Sequence, residues 1–379
     1  MYKNNIFDSF KCTADKCRLT CCRGWAVRVE NESYEKWHGD RETRYLCYYT
    51  DLHKNDGETV RQMKQNSCQT CVLLDENGLC EIVKRHGEEM LSETCARFPR
   101  KYNEIEELDI IEYSLSGGCP EVLRLIREDS GNLGKGAVRR LPENDRLPIE
   151  YQIRNTVIKL FLGQGFGLEE KILLSFSFLR ECLECEEDDE ICRVMNIYSD
   201  EAELKELANL WADAGYDEKG AFIEVLQTLL DMIQLYREEP MYKPYLYDIA
   251  EFVESINADG KETDMLLGEW QEFKKRWNND SAFYGDVIVS EIYGDCISED
   301  LEYLTEIFQG IVFEYVMTRV SVFIKEIVLK RRLSEREIEE YLSLFIRMIG
   351  HNIDGMEEYW AESFEDSVLM TEYLYLVLK

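Results

Sequence analysis

Residues Phe10 to Trp25 read F-K-C-T-A-D-K-C-R-L-T-C-C-R-G-W and place Cys12, Cys17, Cys21 and Cys22 within eleven residues. Cys71 and Cys80 follow on either side of D-E-N-G, Cys95 precedes A-R-F-P-R, and Cys119 precedes Pro120. Thiolates are soft ligands, and clusters of them select zinc, copper(I) or iron–sulfur centres over hard cations. Eight sulfurs gathered around one or two metal centres would order a stretch that has few other large apolar elements.

Spacing leaves the metal open. Structural zinc sites usually draw their cysteines as C-x2–4-C pairs, whereas the first block here is C-x4-C-x3-C-C. In extended backbone the side chains of Cys21 and Cys22 point to opposite sides, so they would serve different irons or different centres. Eight cysteines make two sets of four, or one cluster with spare thiols, and on spacing alone iron–sulfur and zinc stand level. Cys68 forms C-x2-C with Cys71 and is a ninth candidate, while Cys47 and Cys296 read as core. Cys182, Cys185 and Cys192 read as helix-face cysteines.

The opening M-Y-K-N-N-I-F-D-S-F has no apolar core and no small-residue cleavage site, so no signal peptide is expected. No run approaches eighteen apolar residues without a charge, so no transmembrane helix is expected either. A cytoplasmic chain keeps its thiols reduced, and there 14 cysteines in 379 residues point to metal rather than disulfides. The net charge of −32 is uneven: residues 1–140 carry 22 basic and 24 acidic side chains, the remainder 22 and 52. So acidic a surface repels phosphate backbones, which argues against nucleic-acid binding. It would attract a basic protein, or simply keep helices solvated.

The fold class expected is mainly α: a small cysteine-rich α+β domain over residues 1–129, a linker at 130–148, and an acidic, irregular α-helical domain over 149–379. Trp25 to Glu30 alternates as a short strand, the polar stretch from Gly39 to Gln69 reads as helix and loop, and Cys71 to Val83 reads as a hairpin with Gly78 at a positive-φ turn position. Gly87 to Ala96 should be a helix delivering Cys95. Cys119 should cap a helix that starts at Pro120, facing free N–H groups and the positive end of the dipole. Three Gly and two Pro crowd 130–148, and beyond them apolar residues recur at three and four, with Asp286–Ser290 a rare strand-like run. The string Gly163-Gln-Gly-Phe-Gly167 lies between helical stretches and lacks the strand that a cofactor loop needs. Gly24 stands where the last cysteine of a radical C-x3-C-x2-C motif would fall.

The strings F-x-C-x-A-D-x-C-x-x-x-C-C-x-G-W-x-V-x-V, C-x-x-L-D-E-x-G-L-C-x-I, G-E-E-x-L-S-E-T-C-x-x-F-P-R and the later C-P-E resemble the bacterial flagellin lysine-N-methylases, within the wider class of cysteine-rich iron- or zinc-chelating domains. The likeness runs from Phe10 to Arg127; further on, R-x-I-x-H-N at Arg347–Asn352 is its best echo. Asp286 and Ser290 stand where that family tends to carry asparagines. The resemblance implies a [4Fe–4S] centre and methyl transfer from S-adenosylmethionine to lysine ε-amines of flagellin. It assigns Cys12, Cys17, Cys21, Cys22, Cys71, Cys80, Cys95 and Cys119 to the metal-binding signature. Arg97 and Arg100, flanking Phe98-Pro99, are candidates to hold the cofactor's carboxylate, or else to form salt bridges across the domain junction. The sequence names no catalytic base. Two other readings are a metal-chelating module without catalysis, and a zinc-stapled head carrying a helical protein-interaction domain.

Overall fold

The structure, a computed structural model, describes residues 2–55, 58–130, 147–213, 215–237, 239, 242–256 and 260–379. Apart from residues 130, 147 and 148, the linker expected at 130–148 lies outside them. The chain is mostly helical, with a small mixed region at its start, as the sequence predicts.

Among the described residues that mixed region has five short strands. Strands β1 (Tyr2–Lys3), β4 (Arg100–Ile105) and β5 (Ile110–Leu115) form a sheet in the order β1-β5-β4, with β1 parallel and β4 antiparallel to β5. Strands β2 (Thr50–Asn55) and β3 (Glu58–Met63) form a separate antiparallel pair. This pair corrects the expectation of helix and loop for 39–69. Its residues are largely polar because little of it is covered, so it lacks the apolar alternation that would mark a half-buried strand. Met63 is its buried anchor. Trp25–Glu30 is extended as predicted and pairs with β3 through Met63 N to Val27 O at 2.9 Å and Val29 N to Arg61 O at 2.9 Å.

Four helices belong to this half: α1 (Asn31–Gly39), α2 (Glu81–His86), α3 (Glu93–Arg97) and α4 (Pro120–Asp129). The hairpin expected at 71–83 is a single bridge, Leu74 to Cys80, after which the chain turns into α2. Gly78 does take φ +77° in that turn, a conformation a Cβ would disfavour.

Helices α5 (Ile149–Leu162), α6 (Leu168–Leu183), α7 (Asp188–Ile197), α8 (Glu201–Asp213) and α9 (Glu218–Leu235) begin the helical region. It continues through α10 (Lys243–Ser255), α11 (Lys261–Trp277), α12 (Ser281–Asp295) and α13 (Leu301–Leu329). Then come α14 (Glu335–Phe345), a π-helical turn at Ile346–Gly350, α15 (Ile353–Phe364) and α16 (Thr371–Leu378). The strand-like run 286–290 lies inside α12, where Val287, Ile288 and Val289 are all buried. Burial overrides the weak helix propensity of β-branched side chains there. The glycine-rich string falls between α5 and α6.

Helix α13 is the axis of the molecule. It is apolar around its whole circumference, as a core helix is, and α6, α10, α12 and α14 pack against it. Among the described residues it is the one helix long and apolar enough to cross a membrane, and that apolar stretch is buried inside the protein. Arg319 ties it to the last helix, donating from Nη2 to Val377 O at 3.1 Å and Leu378 O at 2.9 Å, while Arg319 Nε and Ser321 Oγ are buried without a hydrogen-bond partner.

Two hydrophobic cores hold the cysteine-bearing segments. The large helical core takes in Ile6, Phe10, Leu19, Leu115, Val122, Leu123 and Ile126 from the N-terminal half. A smaller one, around Val27, Trp37, Leu46, Met63, Leu73 and Ile82, carries Cys71, Cys80 and Cys95 on its margin.

Candidate functional site

Cys12 to Cys22 is a loop hung from the large core by Phe10 and Leu19, both buried. Within it, Ala14 N donates to Cys12 Sγ at 3.4 Å, and Cys17 Sγ donates to Leu19 O at 3.3 Å. The loop is tied to the small core where Cys71 N donates to Cys22 O at 2.8 Å. Asp75 Oδ1 accepts from Asn77 N at 2.9 Å and Leu79 N at 2.8 Å, closing the turn that carries Cys80 to the start of α2. Ser92 caps α3 by accepting from Cys95 N at 3.4 Å. Glu30 takes the free N–H groups of Glu93 and Thr94 at 2.9 and 3.2 Å, the partners a helix start needs. Cys119 sits at the N-cap of α4 with Pro120 next, as predicted.

These segments converge on one cavity of about 560 Å³. Its wall carries Cys12, Cys17, Cys21, Cys22, Cys71, Cys80, Cys95 and Cys119, and none of the other six cysteines. Cys68 is exposed, and Cys182 and Cys296 are buried elsewhere. Charge links the sulfurs across the wall. Cys71, Cys80 and Cys95 each feel Cys22, and Cys95 also feels Cys71 and Cys80. Cys17 interacts with Cys12 and Cys119, and Arg347 acts on Cys17, Cys21, Cys22 and Cys119. Cys21 feels Cys95 and shares a hydrogen bond with Cys22, so the two adjacent cysteines join these groups rather than divide them.

Burial dominates the thiols. It pushes Cys71 and Cys119 up to about 11 and Cys95 to about 12. The N–H groups of α4 do pull Cys119 downward, but less than burial raises it. The exception is Cys22, drawn down to about 7 by its hydrogen bond with Cys21, whose own thiol is raised by the same bond.

The donor set suits a soft metal. Among the described residues, however, no three His, Cys, Asp or Glu side chains converge on a point where a single ion would sit. The thiols line a wall, with room inside for a polynuclear centre or a small organic ligand.

Four basic residues share the wall: Lys11, Lys84, Arg100 and Arg347. Arg100 reaches over the Phe10 ring at 5.1 Å, while Arg97 is turned to Glu93 and lies over the Tyr102 ring at 4.4 Å. Only Arg347 is buried, at 7% exposure. It comes from the π-helical turn, and its guanidinium donates to Gly118 O at 2.7 Å, Leu19 O at 2.9 Å and Thr20 O at 3.0 Å. One turn on, His351 packs against Trp25 and Phe98 with ring centroids 5.8 and 6.3 Å apart. The R-x-I-x-H-N string was the signal for both; their spacing could not say that they meet the cysteine loops.

Behind the Gly117-Gly118 turn lies an acidic group that sequence reasoning missed. Gly117 N donates to Glu291 Oε1 at 2.7 Å, and Lys101 Nζ lies 2.6 Å from Asp295 and 3.9 Å from Glu291. Burial raises Glu291 to about 8 and also raises Glu314, its neighbour. Glu291, Asp295 and Glu314 are scattered over two helices, and no local pattern announces their meeting.

A family model described as the FliB lysine N-methylase C-terminal domain matches residues 154–377. Among curated proteins, the lysine-N-methylases of Salmonella typhimurium and Salmonella choleraesuis are each 31% identical over 124 residues, 32% of this chain and 30% of theirs. The flagellar biosynthetic protein FliU of Salmonella muenchen is 28% identical over 131 residues, 34% of this chain and 76% of that protein. The matched part therefore spans under a third of the two lysine-N-methylases' length. No solved structure matches.

Proposed function

The chain belongs to the FliB lysine N-methylase family, and from that premise we propose that it transfers a methyl group from S-adenosylmethionine to lysine ε-amino groups of flagellin, with the eight-cysteine cavity as the seat of a [4Fe–4S] cluster. The observation that carries this is the selection of cysteines: the eight on the cavity wall are the eight of the family-like strings. The relatives' names supply lysine methylation and a flagellar connection; the sulfonium cofactor, the cluster and flagellin itself are part of the proposal. Zinc is the alternative metal.

In such a transfer the lone pair of a neutral lysine amine attacks the sulfonium methyl carbon. The carbon–sulfur bond breaks with its electrons going to sulfur, and the amine gives up a proton. The lysine must first lose its ammonium proton, against an ordinary pKa of about 10.4. A low-dielectric pocket with a resident cation favours the neutral amine, and the wall supplies both: Trp25 and Phe98 as apolar surface and Arg347 as the buried cation. Arg100, also on the wall, is the candidate to pair with the cofactor's carboxylate. If a cluster is bound, its chemistry is that of a Lewis-acidic iron able to take amino and carboxylate ligands. Its ligands would come from the eight cysteines of the wall, of which Cys71, Cys80 and Cys95 rest on the small core and Cys119 on the large one.

The test is turnover. Anaerobically purified protein, flagellin and radiolabelled S-adenosylmethionine should yield labelled lysine on acid hydrolysis of the flagellin. Label that never reaches flagellin under those conditions, with cofactor binding intact, would refute the substrate assignment.

A further inference from the structure

We propose that Arg347 is the positioning residue of the thiol cavity: its guanidinium joins the Cys17–Cys22 loop to the Cys119 turn, so that the thiol wall is complete only while the helical region is packed against both. The inference rests on the cavity being the functional site, but its first observable is the placement of the thiols and needs no metal.

The geometry is specific. Nε, Nη1 and Nη2 each donate to a different carbonyl, those of Gly118, Thr20 and Leu19. The first belongs to the turn before Cys119, and the other two to the link between Cys17 and Cys21. Leu19 and Gly118 are 99 residues apart in the chain, and this side chain bridges them directly. A planar fork with separated donors does this; a lysine ammonium concentrates its donors on one atom.

The turn has no freedom to compensate. Ser343 Oγ donates to Gly117 O at 2.7 Å and Glu291 accepts from Gly117 N at 2.7 Å. A Cβ on Gly117 would meet Ile346 Cδ1 at 2.7 Å, and one on Gly118 would meet His351 Cε1 at 3.2 Å. Three helical side chains therefore fix the backbone that presents Cys119. By contrast, Cys71, Cys80 and Cys95 rest on the small core. One face of the cavity is thus built by the helical region, giving the family's C-terminal domain a defined task at a site whose sulfurs all lie before it.

The test compares R347K with R319K in the full chain. Arg319 is as buried, donates to two backbone carbonyls, and does not line the cavity, so R319K reports general destabilisation. Metal-free protein is pulsed with iodoacetamide and each cysteine read by peptide mass spectrometry. R347K should speed alkylation of Cys17 and Cys119 by roughly tenfold, the scale of one lost charge-assisted hydrogen bond, and leave Cys71 and Cys80 near the wild-type rate. In the anaerobically purified protein, iron should pass to a chelator about 10–100-fold faster, as for loss of an outer-sphere partner. Unchanged alkylation at Cys17 and Cys119, or an equal rise in R319K, would overturn the proposal. Faster alkylation of Cys17 and Cys119 in R347K, together with a wild type that takes up no iron, would uphold the clamp and remove the metal reading.

Discussion

Arg154 lies against Glu112 with Nη1 2.6 Å from Oε2 and Nη2 2.8 Å from Oε1, and neither side chain touches solvent. Arg154 is on α5 and Glu112 on β5, so this bidentate pair fastens the N-terminal sheet to the helical region. Removing one partner strands a charge in the core. E112A should therefore cost about 3–5 kcal/mol, read as a fall in the urea midpoint; a loss below about 1 kcal/mol would mean that water or a neighbour reaches the guanidinium.

Glu291 gives a pH signature. Its folded pKa, about 8, lies above the ordinary 4.5 because burial disfavours the carboxylate. A raised pKa stabilises the fold below the unfolded value, and that contribution is lost as pH climbs through the folded value. Between about pH 4.5 and 8 the wild type should lose stability relative to E291Q, whose amide oxygen can still accept from Gly117 N. Parallel melting curves across that range would show that the carboxyl is not held protonated.

The buried thiols act in the same direction at higher pH. Cys71, Cys95 and Cys119 titrate above the ordinary range through burial, so metal-free protein should weaken as pH rises beyond about 9. C71A, C95A or C119A should flatten that decline, measured by chemical denaturation in reductant.

Steering by charge is testable by salt. With 52 acidic against 22 basic residues after position 140, attraction of a lysine-bearing substrate should make kcat/KM fall several-fold between low and moderate ionic strength, with kcat little altered. A salt-independent kcat/KM would assign the acidity to solvation alone.

Much of the fold was legible in the sequence because local chemistry declared it. Ile149–Leu162 and Leu301–Leu329 are helices, as the recurrence of apolar residues at three and four beyond position 148 predicts, and Cys119-Pro120 marks its helix start. What stayed hidden depended on contacts between distant residues. Strands β4 and β5 pair beneath the cysteine turn, yet residues 100–115 carry little apolar alternation. Helix α12 looked strand-like at 286–290 because β-branched residues fill a position buried on all sides. The eight cysteines could be named from spacing and resemblance, but not that Cys71, Cys80 and Cys95 rest on the small core while Cys119 packs against the large one. In the sequence Arg347 stood only as part of the R-x-I-x-H-N string; the fold sets its three donors on the cysteine loops.

The most direct measurement is iron, zinc and acid-labile sulfide in anaerobically purified protein, wild type beside C95A and C68A. Near-equal iron and sulfide are predicted in the wild type and in C68A, with a broad visible charge-transfer band, and loss of both in C95A. Zinc without sulfide, persisting after attempted iron–sulfur reconstitution, would contradict the cluster assignment and reduce the cysteine wall to a structural staple.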